Sequence, residues 1–332
     1  MTILITGATG VIGRALTQTL LSQSAEVRVI TRRPHRVLQA FEAYRGRVLA
    51  FEWHPRTEPF PPEALEGVER VIHLMGEPIH AAATRQARQR VEASRRIATR
   101  RLAEALGRQK VHLIVASSAS VYGFGAGPPV TESSALARPK SKLALSLVGC
   151  EEEAEQIAAG GSTVTAVRLG LVITPGGFPD PLRQLHAAGL TWRTPHPDAV
   201  LPVIDLQDAV ALLAWLARAR RVAGPVHAVT PEPLRSADLK ALLEEATPRR
   251  VRVPLPRLAL RRYIGALADV VHNRQHIVPQ RLLDAGFEFE HPNPLDSVHA
   301  ALSDDVALPA PWRPSLIADV LQRAGSSTEV GL

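Results

Sequence analysis

The eight residues Thr6-Gly7-Ala8-Thr9-Gly10-Val11-Ile12-Gly13 constrain this chain more than any other stretch. They follow an apolar, β-branched run at residues 3–6 and open an amphipathic stretch at 12–22 that carries Leu16, Leu20 and Leu21. Glycines in that context each have a physical use. Gly7 permits a tight turn, Gly10 lets the backbone approach a pyrophosphate, and Gly13 lets the helix pack close to its strand. The helix start then offers unpaired N–H groups and a positive dipole end to an anion. Thr9, Val11 and Ile12 ride on the same turn and join the glycines as candidate cofactor contacts.

Downstream, short β-branched runs alternate with longer helical patterns. Strands are expected at 26–31, 47–51, 70–74, 112–116 and 164–169, with helices at 85–107 and 141–159. This rhythm predicts an α/β fold, a Rossmann-type doubly wound parallel sheet. Several runs are apolar on both faces, as strands covered by helices on each side must be. Past Leu169 the prolines and glycines multiply, and the reading changes to a smaller C-terminal substrate lobe. We expect a dinucleotide-binding domain at 1–173, with 200–230 packing back onto it. The substrate lobe is expected at 174–199 and 231–303, and residues 304–332 read as an appended arm. In this second half, helices are expected at 206–219, 236–246, 258–271 and 279–285, with strands at 225–229 and 251–253.

The end of the second strand selects the cofactor. An acidic residue there would bind the adenosine ribose of NAD. Here the strand ends Thr31-Arg32-Arg33, with no carboxylate. Arginine is always charged and meets phosphate oxygens with a forked donor set, so this ending suits the 2′-phosphate of NADP(H).

With Val115-Ala116-Ser117-Ser118-Ala119-Ser120-Val121-Tyr122-Gly123, the chain resembles the extended short-chain dehydrogenase/reductases. More narrowly it resembles their atypical epimerase-family, or cell-division-inhibitor-like, group. That likeness rests on His73-Leu74-Met75-Gly76-Glu77-Pro78-Ile79, Ser94-Arg95, Arg168-Leu169-Gly170 and Pro175-Gly176-Gly177, and it covers about residues 1–302. The resemblance implies cofactor contacts at Leu74, Met75, Gly76, Ser94, Ala116, Ser117, Arg168 and Gly170. It implies that Ser118 polarises a substrate oxygen.

In catalytic relatives a tyrosine moves the proton, and a lysine four residues later lowers its pKa. The chain has only three tyrosines, and the fourth residues after Tyr44, Tyr122 and Tyr263 are Val48, Ala126 and Leu267. Counted back from Glu153, the family's two slots fall on Leu145 and Gly149. The pair is missing, a trait the resemblance attributes to the group as a whole. Tyr122 and Glu77 remain as candidate proton donors, although Tyr122 also reads as a packing residue at a strand end. Asp205, Gln207 and Ala83 depart from the group's pattern, which touches substrate identity and not cofactor binding.

The net charge of +7 raises the question of a nucleic-acid partner. Arginines crowd 85–101, but no aromatic residue lies between Phe60 and Tyr122 to stack on bases. The arginines are therefore read as a solvated face and nucleic acid is not expected. Glu151, Glu152 and Glu155 are read as solvated too, with Glu153 the exception. The lone cysteine, Cys150, falls at a packing position, and no metal-ligand spacing stands out among 12 histidines. No run of 18 apolar residues occurs, so no membrane span is expected. Without a basic leader, a reducing cytoplasm is the expectation. The expected function is an oxidoreductase or epimerase-like enzyme using NADP(H) on a small-molecule substrate, with a homodimer left open. The alternative is an NADP(H)-binding regulatory or sensor protein without turnover.

Overall fold

A computed structural model describes residues 1–76, 85–123, 127–136, 142–193, 199–218, 222–247, 253–265 and 267–303, with the backbone alone for 85–93, 142 and 143. The first half alternates β1 (Thr2–Thr6), α1 (Val11–Ser22), β2 (Glu26–Thr31), α2 (Pro34–Ala40), β3 (Val48–Glu52), β4 (Val68–His73) and α3 (Arg85–Leu106). Next come β5 (His112–Ser118), α4 (Lys142–Glu155), β6 (Thr163–Leu169), β7 (Leu171–Ile173), α5 (Asp180–Ala187), β8 (Leu190–Trp192), β9 (Val200–Leu201), β10 (Val203–Asp205) and α6 (Leu206–Arg218). The chain continues through β11 (Gly224–Ala228), β12 (Leu234–Arg235), α7 (Ser236–Ala246), β13 (Val253–Leu255), α8 (Arg257–Ile264), α9 (Leu267–Val270), α10 (Gln280–Asp284) and α11 (Pro294–Ser303).

Seven strands form one sheet in the order β11-β6-β5-β4-β1-β2-β3, every pair parallel. Strand β1 sits where the order reverses, and a crevice at that point is where open α/β sheets take ligands. Alternation along β1 explains the two-sided core. Ile3 and Ile5 face α1 and α6, packing with Leu16, Leu20, Val210 and Leu213. Leu4 faces the opposite side and joins Ala98, Leu102 and Leu106 of α3. Both faces of the sheet are thus dry, and truncating a side chain such as Leu16 to alanine should cost about 2–5 kcal/mol.

A second core gathers Leu182, Leu185, Trp192, Leu239, Leu243, Leu260 and Val298 from the elements after β7. It is stitched by three two-stranded pairs, β7 with β10, β9 with β12, and β8 with β13. The helix expected over 258–271 is two helices, because Gly265 at φ +60° ends α8. Helix α4 ends at Glu155, short of the expected boundary, and a 3-10 turn follows. Strands as short as β7 to β10 and β12 carry too few residues to show a period. No helix among the described residues is long and apolar enough to cross a membrane. The arm at 304–332 lies outside the described residues.

Candidate functional site

The glycine loop forms the floor of the crevice. Gly7 has φ +78°, and a Cβ there would stand 2.8 Å from the carbonyl carbon and oxygen of Leu74. A Cβ on Gly13 would strike the Gly7 carbonyl and stand 2.8 Å from the Ala8 Cα. The turn closes through Gly10 N–H donating to the Gly7 oxygen at 3.0 Å, and Gly10 caps α1 without a side chain. Thr9, Gly10 and Val11 are exposed above it, with Ile12 half-buried. A tight loop with no room for side chains at two glycines, open at a helix N-terminus, fits a bound pyrophosphate. Leu74 and Met75 are half-buried alongside, and Gly76 is exposed.

At the end of β2, Thr31 is buried and its Oγ1 accepts the Arg33 N–H at 3.2 Å. Arg32 and Arg33 are exposed, and neither forms an ion pair with the described residues. No carboxylate follows Thr31 before α2 begins at Pro34.

Across the sheet, the end of β5 is a polar network. Ser117 Oγ donates to Glu151 Oε1 at 2.5 Å, and Arg168 binds both Glu151 oxygens, Nε at 3.1 Å and Nη2 at 2.7 Å. Both members of the ion pair are 6% exposed. Burial opposes the charge on Arg168, but the Glu151 hydrogen bonds and charge prevail and raise its pKa above the usual value. Glu151 is therefore not part of a solvated acidic run. An arginine inside the apolar β6 strand needs a buried counter-charge, and α4 places Glu151 to supply it.

The third Arg168 donor, Nη1, reaches the Tyr122 hydroxyl at 2.5 Å. That hydroxyl lies 2.8 Å from His227 Nε2, and His227 Nδ1 lies 2.8 Å from the Val278 carbonyl. One proton arrangement satisfies all of them: Arg168 donates to Tyr122, Tyr122 to His227, and His227 to Val278. Burial raises the Tyr122 pKa, against the pull of Arg168, and lowers that of His227. Glu132 completes the knot by accepting the His227 and Arg281 backbone N–H groups. The Tyr122 ring is 3% exposed. Its hydroxyl is thus spent inside the protein, which corrects the expectation of a proton donor at the crevice.

Ser118 is half-buried; its Oγ accepts the Ser120 N–H at 3.2 Å. Ala116, two residues earlier on the strand, is half-buried, and Ser94 of α3 is half-buried as well. At Gly170 the packing requires a glycine. Its Cβ position is 2.7 Å from the Pro202 oxygen, so the glycine is needed for β6 to pass the loop before β10. Glu77 lies outside the described residues. Asp205 and Asp208 serve the backbone: Asp205 accepts the Gln207 N–H, and Asp208 accepts those of Glu290 and His291.

Helix α3 departs from the expectation of a uniformly solvated basic face. Arg96 and Arg100 turn to α4 and share Glu153 Oε1, at 3.5 and 2.6 Å. Hydrogen bonds from Arg100 lead in holding the Glu153 carboxyl below its usual pKa. Arg95 is half-buried and lies on Gly76. Cys150 is 3% exposed, and burial pushes its thiol up to about 11 despite a hydrogen bond with Thr99 and the charges of Arg95 and Arg96. A thiol so held is a packing group at neutral pH.

A parallel sheet with its glycine loop at the reversal point defines a dinucleotide-binding α/β protein. Comparison with known proteins narrows the class. Residues 3–191 match the NAD dependent epimerase/dehydratase family, and 255–300 match a domain of unknown function, DUF1731. The chain belongs to that epimerase/dehydratase family. An epimerase family protein of Mycobacterium bovis is 29% identical over 293 residues, 86% of this chain and 93% of its own length. The chloroplastic epimerase family protein SDR39U1 homolog of Arabidopsis thaliana is 26% identical, covering 91% of this chain and 87% of its own. Among solved structures, human epimerase family protein SDR39U1 with NADPH superposes with a TM-score of 0.74 at 21% identity. That match covers 92% of this chain and all of the human one. UDP-glucose 4-epimerase of Thermotoga maritima gives a TM-score of 0.71 at 19% identity, over 91% and 97% of the two chains. These structural likenesses establish the shared fold.

Proposed function

We propose that this chain binds NADP(H) across the crevice and acts as an oxidoreductase or epimerase-like enzyme on a small organic substrate. The observation that carries the cofactor choice is the end of β2, where Arg32 and Arg33 stand exposed with no carboxylate between Thr31 and α2. Two guanidiniums there favour a 2′-phosphate and leave the bare ribose hydroxyls of NAD without an acceptor. The human relative solved with NADPH points the same way. The glycine loop would hold the pyrophosphate on the α1 N-terminus, with Thr9, Val11 and Ile12 closing over it. Leu74, Met75, Ser94 and Ala116 would line the remaining length. Ser117, Arg168 and Gly170 would act beneath the ligand, keeping the ends of β5 and β6 in place.

When bound, the nicotinamide supplies hydride transfer to or from a carbon. Ser118 would hold the oxygen on that carbon by a hydrogen bond. Neither Leu145 nor Gly149, at the positions of the missing tyrosine and lysine, can move a proton. Glu77 or solvent is left to do so, which suits a substrate whose oxygen needs little acid assistance.

The deciding experiment is calorimetric titration with NADPH and NADH, then NADPH fluorescence against a carbonyl library. We expect NADPH to bind more tightly, and Arg32→Asp to erase the preference by weakening NADPH about 10- to 100-fold. Equal or tighter NADH binding would overturn the cofactor assignment. Binding without oxidation across the library would leave the regulatory or sensor reading in place of the enzyme. Once an activity is found, Ser118→Ala should lower kcat, and an unchanged rate would remove Ser118 from the site.

A further inference from the structure

We propose that helix α8, with strand β13 before it, forms a basic surface tipped by exposed aliphatic side chains that binds an anionic lipid surface. The second lobe would then lie on a membrane without spanning it. None of the residues involved is assigned to the cofactor. Between Glu245 and Asp269 the chain carries six arginines, at 249, 250, 252, 257, 261 and 262, and no carboxylate. Residues 248–252 lie outside the described residues, and the last three arginines ride on α8.

Helical spacing sorts α8 into two faces. Leu260 and Ile264, four residues apart, are buried in the second core. Leu258 and Arg262, also four apart, stand outward together. Leu258 is 83% exposed, more than any other large apolar side chain among the described residues. Val253, five residues earlier in β13, is 58% exposed. Asp269 is shared by two guanidiniums, Arg257 Nη2 at 2.9 Å and Arg261 Nη2 at 3.4 Å. One carboxylate against two arginines leaves a positive excess. Arg262 adds to it, forming no ion pair with the described residues.

This charge pattern complements the boundary of an anionic bilayer. Guanidiniums sit at the level of the phosphates, and an aliphatic side chain standing among them reaches the acyl chains. Two other partners fit less well. A nucleic acid would want stacking rings, but Tyr263 is the one aromatic between Glu245 and Asp269, and its hydroxyl is buried. An added strand would want a full row of N–H groups, and Pro254 removes one from β13.

The test is co-sedimentation of the full chain with vesicles of phosphatidylcholine alone and of phosphatidylcholine with a quarter phosphatidylglycerol. We expect binding to the anionic vesicles only, with release at about 0.5 M sodium chloride. Arg262→Glu and Leu258→Ser should each weaken it about 5- to 30-fold, the first through charge and the second through lost insertion. Arg262→Lys, which keeps the charge, should stay within about threefold of wild type. Both side chains are exposed, so the Tm of each variant should match wild type. Should a variant fail to fold, the release of wild type by salt must still hold. No binding to anionic vesicles, equal binding to neutral ones, or affinity untouched by both Arg262→Glu and Leu258→Ser would overturn the proposal. So would tighter binding to a single-stranded RNA than to the anionic vesicles. A smaller oligomer on gel filtration of Leu258→Ser would overturn it too, by assigning Leu258 to a contact between copies of the chain.

Discussion

On the β1–β2 side of the crevice, every residue assigned to the ligand lies within the first 33 of the chain. The glycine turn, the α1 N-terminus and the Arg32-Arg33 pair follow one another with one helix between them. On the β4–β5 side, the working parts come from α3, β5, α4, β6 and β11, up to 105 residues apart in the Tyr122–His227 bond. The first side is specified by backbone geometry: glycines too crowded for a Cβ, and a helix end. The second is specified by buried charge, where one arginine in β6 obliges α4, the β5 end and residues from Glu132 to Val278 to organise around it. Local geometry binds phosphates in almost any member of such a fold. A buried charge network can be rebuilt for another purpose.

The largest expected effect tests whether the two sides are independent. Glu151→Ala strands the Arg168 guanidinium in a dry site and should cost about 3–5 kcal/mol by denaturant unfolding. Well below its lowered Tm, the variant should still bind 2′,5′-ADP within about twofold of wild type, because that ligand touches only the β1–β2 side. A parallel loss of 2′,5′-ADP affinity would mean that the sides are one cooperative unit.

His73 is the joint between them, and its titration sharpens the comparison. It lies between Thr6 at the mouth of the glycine loop, 2.7 Å from Nδ1, and Thr99 beneath Arg95, 3.2 Å from Nε2. Burial, then the Arg95 charge, pulls its pKa from 6.5 to about 4. Acidification therefore protonates the unfolded chain first, and the folded state loses ground. Stability from this group is complete above pH 6.5, declines as the pH falls toward 4, and is flat below. The whole gap amounts to about 3 kcal/mol. His73→Asn, which cannot titrate, should flatten that part of the stability–pH curve between the two values. An unchanged acid limb would show that His73 is not held neutral in the fold.

The same contrast explains what could be read from the chain alone. Strands β1 to β6 were legible because each is a short, largely apolar or β-branched run bounded by glycine, proline or polar residues, and the glycine loop because its spacing is itself the structure. The inward positions of Glu151 and Arg95 were not. Glu151 sits in a run of three glutamates, and Arg95 in a helix crowded with arginines. Composition averages such residues into a solvated face, while helix rotation sends one of each group inward. A usable sign was present in Arg168: a charge between Val167 and Leu169 in a covered strand demands a partner. The partner's identity still depended on how α4 docks against the sheet, which no local pattern carries.

The smallest effect decides what Tyr122 is for. Tyr122→Phe keeps the ring against His227, with which it makes a T-shaped contact at 5.3 Å, and removes only the hydroxyl. Arg168 Nη1 and His227 Nε2 each lose a partner in a buried setting, so a loss of about 1–3 kcal/mol in unfolding free energy is expected. NADPH affinity should stay within about twofold, and so should kcat for any substrate found. The reverse pattern, an unchanged Tm with a kcat reduced 100-fold or more, would return Tyr122 to the reaction as its acid. The geometry argues against that pattern: a hydroxyl that accepts from Arg168 and donates to His227 has its one proton committed away from the crevice. A proton lost from it would leave a buried phenolate; burial opposes that charge most, Arg168 favours it, and Glu132 and Glu151 oppose it further, with the net shift upward.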